Sequence, residues 1–223
     1  MVPICPGLSL PLGRLEGVEA RGHVSLVAIA IGFGLGAFEA PPPDSLDDAL
    51  FGAIAFVGGV LVHELGHALA RGALGLNVRR IVLYPVGGVA ECAAPAATPG
   101  HELGAALGGP LASLIAATAL RLLDAPAHHV WVHATLGLGN LLPLATLDGA
   151  VILKAALSSR LGEQAATRVT AVVGQLGALG VGLAGLVSAL PWVVLFGVFS
   201  FLSASAARAR VGATLAGGAR EGT

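Results

Sequence analysis

The sequence predicts an all-α polytopic membrane protein of about six transmembrane helices, with a short β-hairpin after the second. Three observations carry this. Of 223 residues, 55% are hydrophobic and 11% charged, and mean hydropathy is +0.85, whereas soluble domains carry about 25% charged residues. The apolar residues fall in blocks long enough to cross a bilayer core, which takes roughly 20 helical residues. Lys and Arg fall almost wholly in alternate gaps between those blocks. Gly (33) and Pro (13) are abundant, and spans tolerate them when neighbouring helices satisfy the freed backbone groups. A net charge of −1 gives no electrostatic basis for a nucleic-acid partner. Cys5 and Cys92 lack zinc-pair spacing and differ in surroundings, so no disulfide is expected.

In chain order, residues 1–22 are broken by Pro and Gly and carry Arg14, Glu16, Glu19 and Arg21. They read as a short cytosolic N-terminal tail, with no signal peptide. The membrane domain is expected over 23–207. His23–Phe38 is the first span, and its Gly32, Gly34 and Gly36 serve close helix packing rather than phosphate binding, because no strand precedes them. Glu39–Asp48 is an acidic, Pro-rich loop, and Ala49–Leu74 the second span. Leu76–Cys92 clusters Val, Ile, Leu and Tyr around a Pro and a Gly-Gly pair, which predicts a β-hairpin or extended loop. Glu102–Leu123, containing Gly109-Pro110, is the third span. His128–Leu144 is the fourth, with a broken helix end predicted at Pro143 and Asp148-Gly149. Residues 150–161 form a surface helix. Ala165–Leu190 is the fifth span, with Gly174, Ala178 and Gly182 at four-residue spacing for tight helix contact. Pro191–Ala207 is the sixth, and 208–223 a basic cytosolic tail. Trp131 and Trp192 stand near predicted outer ends, as belt anchors do.

With six spans, one set of loops holds eleven of the twelve basic residues and the other holds Arg121. That bias puts both termini in the cytosol. The second and fourth spans then run in the same direction, and their later halves lie at similar depth near the cytosolic side.

Those later halves hold the residues with chemistry. Val62-His63-Glu64-Leu65-Gly66-His67-Ala68 reads H-E-x-x-H. On a helix His63 and His67 are one turn apart on one face, so both imidazoles can reach one Zn²⁺ at about 2.0–2.1 Å. Glu64 lies beside them, placed to take a proton from a water on the metal. Each ionisable group at mid-bilayer depth costs roughly 2.5–3.5 kcal/mol, which marks such groups as functional candidates. The bland reading is a buried polar cluster packing helices. Asp148, at the end of the fourth span, argues against it, because the orientation brings a third ligand to the same depth. Alone, Asp148 would read as an Asp-Gly turn. His133 is an alternative third ligand, on the outer side. His101-Glu102-Leu103-Gly104 repeats half the motif, with Ala105 where a second His would stand. Asn140, two turns before Asp148, is placed to donate hydrogen bonds to a carbonyl or its oxyanion.

The pairing of HELGH in one span with N-x-x-P-x-x-x-L-D-G at the end of a later one resembles the site-2 protease family of intramembrane zinc metalloproteases. Tyr84-Pro85-Val86-Gly87-Gly88-Val89 is similar to the family's Gly-Gly hairpin, and Glu102 before Gly109-Pro110 to its third core span. The resemblance covers about residues 23–207, with a catalytic core of about 49–161. Ser113 departs from the Asn that many members carry after Gly-Pro, a departure expected to leave the zinc site untouched. The resemblance implies one Zn²⁺ per chain on His63, His67 and Asp148, and Glu64 as base. It implies a transmembrane protein substrate in a lipid bilayer, and release of membrane-tethered regulators. The chain is expected to be multi-pass in the cell membrane of a prokaryote. An unwound substrate helix needs partners for its backbone. The extended segment from Arg79 to Val89 could supply them by strand addition, with Gly87, Gly88 and Val89 as candidate substrate-binding residues. The rival readings are a membrane metal transporter, which should spread ligands over several depths, and a catalytically silent binding relative, against which the intact Glu64 argues.

Overall fold

The computed structural model describes residues 8–15, 18–25, 45–76, 78–84, 87–92 and 98–221. Its elements, in order, are β1 (Ser9–Leu15), β2 (Val18–His23), α1 (Leu46–Ala73), β3 (Val78–Tyr84), β4 (Gly87–Cys92), α2 (Pro99–Leu122), α3 (Ala127–Asn140), α4 (Asp148–Leu161), α5 (Glu163–Val187) and α6 (Pro191–Glu221). The protein is mostly helical. Four of these helices are long and apolar enough to cross a membrane: Leu50–Ala73, Pro99–Leu122, Glu163–Val187 and Pro191–Gly212.

That number differs from the expected six for two reasons. The first predicted span lies, from residue 26 to Phe38, outside the described residues, as do residues 39–44, Pro85, Val86 and residues 93–97. The fourth predicted span ends early: α3 has 14 residues, about 21 Å at the helical rise, and stops at Asn140, before Pro143. The sequence cue for a broken end is borne out, and the break comes sooner than expected. At the other end of the chain, residues 208–221 continue α6.

The expected hairpin is present as β3 and β4, paired antiparallel with Val82 opposite Val89 and Leu83 opposite Gly88. It belongs to a larger sheet, ordered β1-β2-β3-β4. Ser9–Leu15 and Val18–His23, all but His23 read from sequence as a tail, pair antiparallel as β1 and β2. β2 pairs parallel to β3, with Glu19 opposite Arg80. Glu19 links the two strands, accepting from Arg21 at 2.8 Å and from Arg80 at 3.2 Å. These guanidinia, Arg21 foremost, hold the Glu19 carboxyl below its ordinary value. Pro11 lies in β1, an edge of the sheet among the described residues, the kind of strand in which proline is tolerated.

Helix ends follow from local chemistry. Thr98 Oγ1 accepts from the His101 N–H at 3.2 Å, with Pro99 as the first helical residue of α2, an N-cap followed by proline. α1 closes through Leu76 N–H to Arg71 C=O at 2.9 Å, with Gly75 at φ 72°. The positive φ is what glycine supplies at a helix C-terminus.

The described chain divides into two compact units, residues 1–97 with 107–139, and residues 98–106 with 140–223. In the first, glycines bring three helices together. A Cβ on Gly66 would collide with the Gly108 carbonyl and lie 2.5 Å from Ala112 Cβ. A Cβ on Gly59 would lie 2.7 Å from Val132, and one on Gly137 2.7 Å from Leu114. Small residues at crossings let helix backbones approach where lipid offers no hydrophobic drive. The sheet packs on α1 through β3 and β4.

In the second unit α5 and α6 run antiparallel. A Cβ on Gly197 would lie 2.8 Å from Gly182 and 2.9 Å from the Ala178 carbonyl, and Gly185 faces Val193 and Val194. The predicted small-residue face of α5 is thus the α6 contact. Outward-facing Leu176, Leu179, Leu183, Leu195 and Leu202 are each more than half exposed, a face suited to lipid tails.

Candidate metal centre

α1 carries the pair of histidines. His63, Glu64 and His67 are 3%, 3% and 5% exposed, and the two imidazoles meet edge to face with centroids 4.9 Å apart. α2 crosses α1 at Gly66 and Gly108, and this brings its next turns onto the histidines. His63 Nδ1 and Ser113 Oγ are 3.0 Å apart, both buried. His67 Nδ1 lies 3.3 Å from the Gly109 N–H, which donates to it. A Cβ on Gly109 would collide with His67 Nε2 and sit 2.6 Å from His63 Nε2. The missing side chain leaves a small cradle against both Nε2 atoms.

Asp148 is the first residue of α4 and is half-buried. Its place is set by the turn before it. Leu144 is 2% exposed, and backbone bonds run from Leu144 N–H to Leu142 C=O at 2.8 Å and from Leu147 N–H to Leu144 C=O at 2.9 Å. A Cβ on Gly149 would collide with the carbonyls of Leu141 and Leu142. This is why glycine follows Asp148. α5 and α6 hold the same turn: a Cβ on Gly174 would lie 3.3 Å from the Pro143 carbonyl, one on Gly177 would lie 2.9 Å from Leu144, and Thr146 Oγ1 pairs with Ser200 Oγ at 2.9 Å.

His63 and His67 of the first unit and Asp148 of the second are a set that could hold a metal ion. Two imidazoles and a carboxylate suit zinc, which takes three protein ligands in sites that keep an open position. Asn140 ends α3, half-buried. Gly87, Gly88 and Val89 lie on β4, an edge of the sheet among the described residues. β3, which the sequence suggested as part of an open edge, is flanked by β2 and β4. Glu102, in the half motif, accepts from Lys154 at 3.1 Å and makes an ion pair. His133 lies on α3 and is 8% exposed.

One residue was undervalued in the sequence. Ser113 was expected to leave the zinc site untouched, yet it touches His63 directly. With its proton on Nδ1 and donated to Ser113, His63 presents Nε2 to a metal. The signal was the four-residue step from Gly109 to Ser113, which puts both on one face of α2.

Residues 51–126 match peptidase family M50. A zinc metalloprotease of Methanocaldococcus jannaschii is 27% identical over 88% of this chain and 59% of its own length. The putative zinc metalloprotease Rip3 of Mycobacterium tuberculosis is 32% identical over 91% of this chain and 59% of its own. A putative zinc metalloprotease of Synechocystis is 32% identical over 67% of this chain and 45% of its own. The chain therefore spans about half the length of the curated relatives it matches. The site-2 protease structure from M. jannaschii superposes with a TM-score of 0.66 at 27% identity, covering 90% of this chain and 95% of that one. The chain is thus similar to zinc metalloproteases of peptidase family M50. Within that class the resemblance is to the site-2 proteases, as the two motifs implied.

Proposed function

We propose that the chain is an intramembrane zinc endopeptidase that hydrolyses peptide bonds in or near transmembrane helices of membrane-tethered regulatory proteins. The observation that carries this is a donor set, His63, His67 and Asp148, that could hold a metal ion, with Glu64 buried between the two histidines in the same helix. His63, His67 and Asp148 hold one Zn²⁺ in this reading. Zinc at such a site polarises a carbonyl and brings the pKa of water toward about 7. Glu64 takes the proton of the attacking water and hands it to the leaving amine, the work of a general acid–base. Asn140 donates to the oxygen of the scissile carbonyl as negative charge develops there. A substrate helix must unwind before it can be cut, and exposed backbone groups in lipid cost several kcal/mol each. The edge of β4, at Gly87, Gly88 and Val89, accepts those groups as an added strand. The membrane is that of a prokaryotic cell, as in the prokaryotic relatives, with both termini cytosolic as the basic residues argue.

The test is reconstitution with single-span substrates, comparing wild type and Glu64→Gln. The variant is expected to keep zinc and lose cleavage by at least about 10²-fold, the scale of a lost general base. Equal cleavage by both proteins would remove Glu64 from its role.

A further inference from the structure

At one end of the α5–α6 pair lies a cavity of about 490 Å³ lined by Arg168, Val169, Val172, Val173, Arg208 and Gly212. One arginine comes from each helix. Arg168 is the sixth residue of the span Glu163–Val187, and Arg208 is the fifth from the end of Pro191–Gly212. Because the helices are antiparallel, both guanidinia stand at the same margin of the apolar zone, above a valine wall. No carboxylate among the described residues neutralises either one. Arg208 donates to the Gln175 amide oxygen at 3.4 Å. The nearby carboxylate, Glu163, lines an adjoining cavity with Arg168 but is paired with Lys154 at 3.7 Å.

We infer that this cavity binds the headgroup of an anionic phospholipid. Its phosphodiester oxygens accept from the Arg168 and Arg208 guanidinia, and the start of an acyl chain lies along Val169, Val172 and Val173. Guanidinium forks match the oxygens of a phosphate bidentately. The apolar wall beneath them adds what a free phosphate would not use. A basic pocket between spans at the membrane surface is a headgroup site on general physical grounds.

The experiment uses the full chain in mixed micelles containing phosphatidylglycerol or phosphatidylcholine of identical acyl chains. Retained lipid is counted by native mass spectrometry, and Tm is followed in parallel. Wild type is expected to retain one phosphatidylglycerol in about tenfold preference over phosphatidylcholine and to be stabilised by it. Arg168→Gln with Arg208→Gln should lose both effects and keep the Tm seen in phosphatidylcholine. Arg160→Gln, an exposed cation on α4 outside the cavity, should retain both. Equal retention of the two lipids by wild type would overturn the inference, as would equal loss in the Arg160 variant, which points to net charge alone. Displacement of the lipid by millimolar inorganic phosphate would overturn it in favour of a free-anion site.

Discussion

At the scale of single residues, the site is a problem of keeping imidazoles in one tautomer and one place. Ser113 addresses the first for His63, and the absent side chain of Gly109 addresses the second. Losing a partner that orients a metal-binding imidazole costs about 10–100-fold in affinity. Ser113→Ala is therefore expected to weaken zinc binding by that factor, measured by competition with a chromophoric chelator. Ser113→Asn, whose side-chain carbonyl can also accept from Nδ1–H, should restore most of it. Zinc binding unchanged in the alanine variant would make Ser113 a packing residue. His63, Glu64, His67 and Asp148 were legible in the sequence because helical periodicity and charge placement bear on them directly. Ser113 was not, because its meeting with His63 depends on how closely α1 and α2 cross, which is decided by Gly66 and Gly108 together.

Among the elements, the sheet divides into what a local pattern announces and what it cannot. The β3-β4 hairpin was legible from its β-branched run and Gly-Gly pair. β1 and β2 were missed because Pro11 and Gly13 read as breakers, and because β2 joins β3 by parallel pairing across a connection that contains α1. That pairing is partly ionic. Glu19 has its carboxyl lowered by Arg21 and Arg80, so its contribution is present above the ordinary carboxylate range and is lost as pH falls through the lowered value. Protection factors of the β2 and β3 amides, taken against intrinsic exchange at each pH, should fall as pH drops below the ordinary glutamate value of 4.5, and Glu19→Gln should remove that pH dependence. If exchange in wild type keeps one protection factor over that range, the ion pair contributes nothing to the pairing. On the other side of the sheet, Val89→Pro takes a donor from β4 and disturbs its edge. Cleavage is expected to fall by about tenfold with zinc still bound, and an unchanged rate would exclude β4 as the substrate clamp.

Over the whole molecule, the membrane class was legible from composition alone, since apolar blocks of span length leave few other homes for the chain. The number of spans was less so. A hydropathy pattern reads through Asn140 to Leu144 without interruption, while the backbone turns there because Pro143 and Gly149 demand it. That turn has a further consequence. Leu141–Leu147 is gripped by α5, α6 and its own hydrogen bonds, and the histidines are wedged by α2, so each donor has a fixed seat that owes nothing to an ion. Small zinc domains differ, since there binding and folding are one event. Here the metal is a removable tenant: chelation should abolish cleavage yet leave the helical circular dichroism unchanged and Tm within a few degrees, and added zinc should restore activity without refolding. A collapse of helicity on chelation would mean that the ion, and not the glycine-packed scaffold, organises the ligands.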